Sequence, residues 1–91
     1  MEKMTLREAA ITALAVQNAV NLSGIVHSFS GIMEALWEDA REHGKGTEYV
    51  NTHPVVTVFL EKLMDLNRYR VGDSVARDED FATVELLAKG E

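Results

Sequence analysis

Between residues 22 and 43, large apolar residues recur at spacings of three and four, which places them along one face of an α-helix. Serine, glutamate and arginine occupy most of the remaining positions, so this helix is amphipathic. The spacing predicts a helix from Leu22 to His43, and Gly44 and Gly46 follow it as glycine follows many helix C-termini. Its apolar positions are Leu22, Ile25, Val26, Phe29, Ile32, Met33, Leu36, Trp37 and Ala40.

An earlier helix is predicted by a capping box, Thr5 with Glu8, in front of an alanine-rich run. It should extend from about Leu6 to Asn21. The asparagine, serine and glycine at residues 21–24 weaken a helix. A stripe of small residues nevertheless continues across them in phase, and it consists of Ala9, Ala13, Val20, Gly24, Ser28, Gly31 and Ala35. We therefore expect the two segments to form one continuous or kinked helix.

A third helix is predicted from about Thr52 to Arg68. Asn51 is a favourable N-cap for it, and Pro54 suits its first turn because no hydrogen bond is lost there. Residues 47–50 are expected to form a turn or a single helical turn. Strand signals are nearly absent, so the fold class is all-α, with the long helix and this helix forming a hairpin.

The C-terminal part has a different composition. Residues 1–70 form the predicted helical domain, whereas residues 71–91 are polar and carry one short, weaker helix between Asp80 and Gly90. With few apolar anchors, this segment is expected to be flexible or to become ordered against a partner.

A chain of 91 residues without cysteine has few means of stabilising a small core. The predicted helix at residues 52–68 is apolar around more than half of its circumference and needs neighbours on several sides. We therefore predict a homodimer built as a helical bundle, although the faces could instead be filled within one chain. The candidate interface residues are Gly24, His27, Ser28, Gly31, Trp37, Val55, Phe59 and Leu63.

Catalytic and metal-binding patterns are weak. None of the three histidines has a second ligand at metal-binding spacing, and the carboxylates Glu34, Glu38 and Glu42 are typical of a solvated helix face. Serines near His27 lack a group that would orient the histidine. We therefore expect no enzyme activity, no metal and no cofactor.

The net charge of −6 opposes binding to nucleic acid and makes a basic protein a candidate partner. No apolar run approaches the ~18 residues of a membrane span, and the N-terminus lacks the pattern of a signal peptide. These features predict a cytoplasmic protein without a membrane anchor.

Part of the sequence resembles a group of small uncharacterised reading frames in phages, plasmids and integrated elements of bacteria. The resemblance covers roughly residues 17–67 and implies an accessory role, but it transfers no functional residue. It is carried by Gln17, Asn21 to Gly24, Val26 to Phe29, Gly46 and Thr47, Val50 and Asn51, and His53 and Pro54.

Two functions are compatible with these features. The first is a self-associating protein–protein interaction module of a mobile element, for which inhibitors of host defence such as anti-CRISPR proteins are an analogy. The second is a dimeric DNA-associated accessory protein that would use Lys62, Arg68 and Arg70 on phosphates, against the overall charge.

Overall fold

The computed structural model describes residues 4–67 and 76–90, and all secondary structure within them is helical. The all-α prediction is therefore confirmed. Among these described helices, none is both long enough and apolar enough to cross a membrane. The elements are α1 (Leu6–Ala15), a 3₁₀ turn (Val16–Asn18), α2 (Leu22–Glu42), α3 (Thr47–Asn51), α4 (Pro54–Asn67) and α5 (Asp78–Lys89).

The predicted capping box starts α1. The Thr5 hydroxyl accepts the Glu8 amide hydrogen at 3.1 Å, and the Glu8 carboxylate accepts the Thr5 amide hydrogen at 2.9 Å. Hydrogen bonding from the Thr5 backbone amide, and secondarily from the Thr5 side chain, lowers the pKa of Glu8, because it stabilises the ionised carboxylate.

α1 and α2 are separate helices, so the prediction of one continuous or kinked helix is wrong. The backbone is extended at Ala19 and again at Asn21. The Asn21 side chain accepts the Ser23 amide hydrogen at 3.1 Å and caps α2. The residues that weaken a helix interior therefore begin a new helix here, since asparagine satisfies an amide that a helix start leaves free.

α2 begins where the sequence predicts and ends one residue earlier, at Glu42. Gly44 follows with a φ of +66°, a conformation that glycine adopts without strain. The Lys45 amide donates to the Ala40 carbonyl at 2.7 Å, and the Gly44 amide donates to the Arg41 carbonyl at 3.3 Å. These two bonds form a Schellman motif, which explains why the helix stops at this point.

The start of α4 differs from the prediction. Asn51 is the last residue of α3, and α4 begins at Pro54, so Asn51 does not cap it. Instead, His53 Nδ1 accepts the Val55 amide hydrogen at 3.1 Å, and the His53 carbonyl accepts the Thr57 amide hydrogen at 3.1 Å. His53 is therefore the N-cap of α4.

α1 lies at the centre of the fold and packs against α2, α4 and α5. Its residues Ala9, Ala10 and Ala13 are completely buried, and their small side chains allow neighbouring helices to approach closely. The Gln17 side-chain amide also donates to the Val58 carbonyl of α4 at 3.2 Å. A short alanine-rich helix thus organises the three longer ones.

α5 packs against α1 and α4, and its Val84 is completely buried. It begins at Asp78, two residues before the predicted start, and Gly90 ends it as predicted. The Asp80 carboxylate accepts the Arg77 amide hydrogen at 3.0 Å, near the start of the helix. α5, which belongs to the segment 71–91 predicted to be flexible or ordered by a partner, thus packs against helices of its own chain, and residues 71–75 of that segment lie outside the described residues.

The apolar surface of α4 is largely covered within the chain. Val55, Val58 and Phe59 are completely buried, and Val56 is nearly so. α1, α2, α3 and α5 all pack against this helix, which explains the coverage. The sequence predicts self-association because the apolar surface of this helix needs more neighbours than one chain offers. Since that surface is largely covered within the chain, it no longer supports a dimer, and the dimer stays a prediction.

Candidate protein-interaction surface

A row of apolar side chains on α2 remains partly open to solvent. It consists of Val26, Phe29, Met33 and Trp37, and we call it the apolar stripe. Spacings of three, four and four align these residues along one side of the helix. Val26 is 62 % exposed, Phe29 and Trp37 are each 39 % exposed, and Met33 is half-buried.

The stripe adjoins the core, which explains its partial burial. Ile25, Ile32 and Leu36 are completely or almost completely buried. The Phe29 ring stacks on the buried Phe59 ring of α4, with 5.5 Å between ring centroids and 26° between ring planes. The stripe is thus the outer margin of a face that its neighbours cover only in part, and the core beneath contacts its Phe29 and Met33 side chains.

Acidic side chains dominate the polar border of the stripe near Trp37. Glu34 and Arg41 lie three residues before and four residues after Trp37, so they are its neighbours on the helix surface. Arg41 donates to the Glu38 carboxylate at 3.0 Å. The positive charge on this border is therefore paired with an acid of the same helix, which leaves the border acidic.

The predicted stripe of small residues is divided between two environments. Gly31 faces the Met4 side chain so closely that a Cβ there would lie 2.9 Å from the methionine Cε. Gly24, in contrast, has no atom within 4 Å of such a Cβ. Gly24 and Ser28 border an open groove of about 370 Å³, whose lining is Ile11, Thr12, Ala15, Val16, Asn18, Ala19, Gly24 and Ser28.

The other predicted interface residues are divided as well. Val55 and Phe59 are completely buried within the chain, so neither side chain lies on its surface, and their role at an interface stays a prediction. Leu63 is half-buried, and His27 is exposed on α2. Trp37 is the predicted interface residue that the structure places in the apolar stripe.

Three members of the stripe were missed as surface residues. The sequence identifies Val26, Phe29 and Met33 only as apolar positions of the long helix, because all three follow the apolar spacing. The width of the apolar face is the sequence signal that could have identified these residues as exposed. Positions 32 and 37 lie on this face and differ by about 140° around the helix. One face of that width exceeds what a neighbouring helix covers, so its margin should stay open.

Carboxylates and aromatic groups meet beside the second half of α2. The Tyr49 hydroxyl donates to the Asp39 carboxylate at 2.5 Å, and this bond raises the pKa of Tyr49 because it stabilises the protonated hydroxyl. Glu38, Asp39 and Glu42 also border a groove of about 340 Å³ next to Met4.

The described residues contain no group of three histidine, cysteine or acidic side chains arranged to hold a metal ion. Of the basic group that the DNA-binding alternative needs, Lys62 lies on α4, and Arg68 and Arg70 lie outside the residues that the structure describes.

Comparison of the chain with protein families, with curated proteins and with solved structures finds no match. The apolar stripe and its acidic border are therefore interpreted from their own geometry.

Proposed function

We propose that this protein is a non-enzymatic interaction module that binds a partner protein through the apolar stripe of α2. The observation that carries this proposal is the exposure of Val26, Phe29 and Trp37 in one continuous row. Isolated exposed apolar residues are common on protein surfaces, whereas a contiguous apolar patch of a few hundred Å² is often functional. Tryptophan and other aromatic residues also contribute strongly to protein interfaces.

The exposed area favours a groove-shaped partner over a second copy of the chain. An aromatic side chain carries roughly 150–250 Å², so each exposed 39 % amounts to about 60–100 Å². The whole stripe then exposes on the order of 300 Å². Two stripes in contact would bury about 600 Å², below the roughly 1,000 Å² expected of a specific interface. A groove that also encloses the flanks of α2 would bury more.

The charges beside the apolar stripe indicate which residues should border the partner's groove. The chain carries a net charge of −6, and Glu34 lies beside Trp37 while Arg41 is paired with Glu38. Lysine or arginine side chains around an apolar groove would therefore attract this surface and orient it. The partner is accordingly a protein with an apolar groove and a basic border. Inhibition of a host defence complex would be one such interaction and belongs to the same proposal.

Binding is tested with Val26→Glu, which places a charge in the stripe. Val26 is 62 % exposed, so this change should leave folding nearly intact. Ile11→Glu on α1 is the matched control, because Ile11 is 44 % exposed outside the stripe. Immobilised wild-type protein and both variants are incubated with the same host-cell extract. We expect a partner that wild type and Ile11→Glu retain and Val26→Glu loses.

The partner selected in this way is then purified and titrated. Trp37 is the single tryptophan of the chain, so fluorotryptophan labelling gives one fluorine NMR signal from the stripe. Partner addition should shift that signal. Val26→Glu should weaken the affinity at least about tenfold, because a charge would be buried in an apolar groove, and added salt should weaken wild-type binding.

Two outcomes would contradict the proposal. One is a partner that Val26→Glu retains as well as wild type does. The other is a stable dimer with twice the 10.1 kDa chain mass that Val26→Glu dissociates, because a second copy would then occupy the stripe.

A further inference from the structure

The junction between α3 and α4 depends on a histidine in one particular protonation state. His53 Nδ1 accepts the Val55 amide hydrogen at 3.1 Å, so the ring hydrogen of the neutral side chain lies on Nε2. The ring is half-buried and meets the edge of the Tyr49 ring, with 5.6 Å between centroids and 72° between planes. The usual residues at this position are serine, threonine, aspartate and asparagine. None of these changes its charge near neutral pH, whereas histidine can.

Protonation of the ring is incompatible with this cap. A hydrogen on Nδ1 turns the acceptor of the Val55 amide into a donor, so two donors would face each other. The added positive charge would also lie at the N-terminus of α4, where the helix dipole is positive. Both effects act on the first turn of the helix.

The groups around His53 do not replace the lost hydrogen bond. On α2 the titratable group that acts on the ring is Asp39, on α3 it is Tyr49, and on α4 the contact is the neutral Val55 amide. Asp39 already accepts the Tyr49 hydroxyl and lies 3.5 Å from His43 Nδ1. Burial lowers the pKa of His53 more than the negative charge of Asp39 raises it.

We propose that His53 is an acid-sensitive latch: protonation of its ring removes the cap of α4 and opens the α3–α4 junction. The unfolded chain binds a proton to His53 at a higher pH than the folded chain, because the folded pKa lies below the ordinary value of 6.5. The stability that His53 contributes is therefore complete above about pH 6.5. It is lost progressively as the pH falls below that value toward the folded pKa.

Amide hydrogen exchange of Val55 and Thr57 tests the latch between about pH 7.5 and about pH 5, on either side of the ordinary histidine pKa. After correction for the intrinsic pH dependence of exchange, protection of both amides should fall about tenfold in acid, the size expected for loss of one cap. His53→Asn is the matched variant, because asparagine caps a helix and does not titrate. Its protection should stay constant over this range.

His43→Asn controls for the exposed histidine at the end of α2 and should keep the wild-type pH response. A His53→Asn variant that loses protection in acid as wild type does would overturn the proposal, as would wild-type protection that does not change. The ring tautomer gives a test without any substitution. Nitrogen NMR should show Nε2–H at neutral pH, and an Nδ1–H ring would also overturn the proposal.

Discussion

Replacement of the two stacked phenylalanines separates core residues from surface residues. Phe59 is completely buried, so Phe59→Ala removes a full aromatic side chain from the core and leaves a cavity. Such changes cost about 3–5 kcal/mol. Phe29 is 39 % exposed, so about six-tenths of its burial energy is at stake, which amounts to roughly 1–2 kcal/mol. Both variants lose the same ring stacking, and the difference of about 1–4 kcal/mol comes from burial.

The assay is urea unfolding of wild type, Phe59→Ala and Phe29→Ala, followed by far-ultraviolet circular dichroism. The expected order of stability is wild type, then Phe29→Ala, then Phe59→Ala. Each curve is repeated at about 1 µM and about 100 µM chain, and the midpoints should not move, because a core completed within one chain does not depend on dilution.

Two results would refute this reasoning. Equal losses in the two variants would mean that Phe59 is no more buried than Phe29. A wild-type midpoint that rises with protein concentration would mean that a second copy completes the core, as the amino-acid sequence predicts for α4.

Two capping residues give further predictions. Thr5→Ala should lower the free energy of unfolding by about 0.5–2 kcal/mol in thermal or urea unfolding, because it removes the hydroxyl that accepts the Glu8 amide hydrogen. The folded pKa of Glu8 is lowered from 4.5, so the stabilisation from its ionised form should be present above about pH 4.5 and fade as the pH falls below it. Thr5→Ala should weaken this pH dependence without abolishing it, because the backbone amide of residue 5 still donates to the Glu8 carboxylate. Gly90→Ala should also destabilise the fold by about 1 kcal/mol, because Gly90 has a φ of +78° and a Cβ there would lie 3.0 Å from Arg7 Nε. Gly24→Ala, with open space around it, is its control and should be neutral or stabilising.

Local signals in the sequence predict the helices more reliably than their junctions. The apolar spacing gives the start of α2 at Leu22, and the capping box gives the start of α1 at Leu6. The break between them is missed because small residues stay in phase across it, although Asn21 is also a good N-cap. The small residues favour one continuous helix, whereas Asn21 favours a new helix start. In the structure Asn21 accepts the Ser23 amide hydrogen and begins α2.

The surface is harder to predict because exposure depends on distant parts of the chain. Val55 and Phe59 are buried where α4 meets several other helices, including α5, which the sequence portrays as weakly apolar. Phe29 and Trp37 have equally strong apolar spacing yet remain partly open, because described helices cover only one edge of that face. Periodicity identifies an apolar face, and the tertiary packing decides which part of it stays free.

Quenching of Trp37 fluorescence by acrylamide is the most direct test of whether the apolar stripe is open on the free chain. A side chain that is 39 % exposed should be quenched at a rate between those of a free and a buried tryptophan. That rate should be the same at about 1 µM and about 100 µM chain, because the proposed occupant of the stripe is a different protein rather than a second copy. A fully shielded Trp37, or quenching that weakens as the protein concentration rises, would contradict the account.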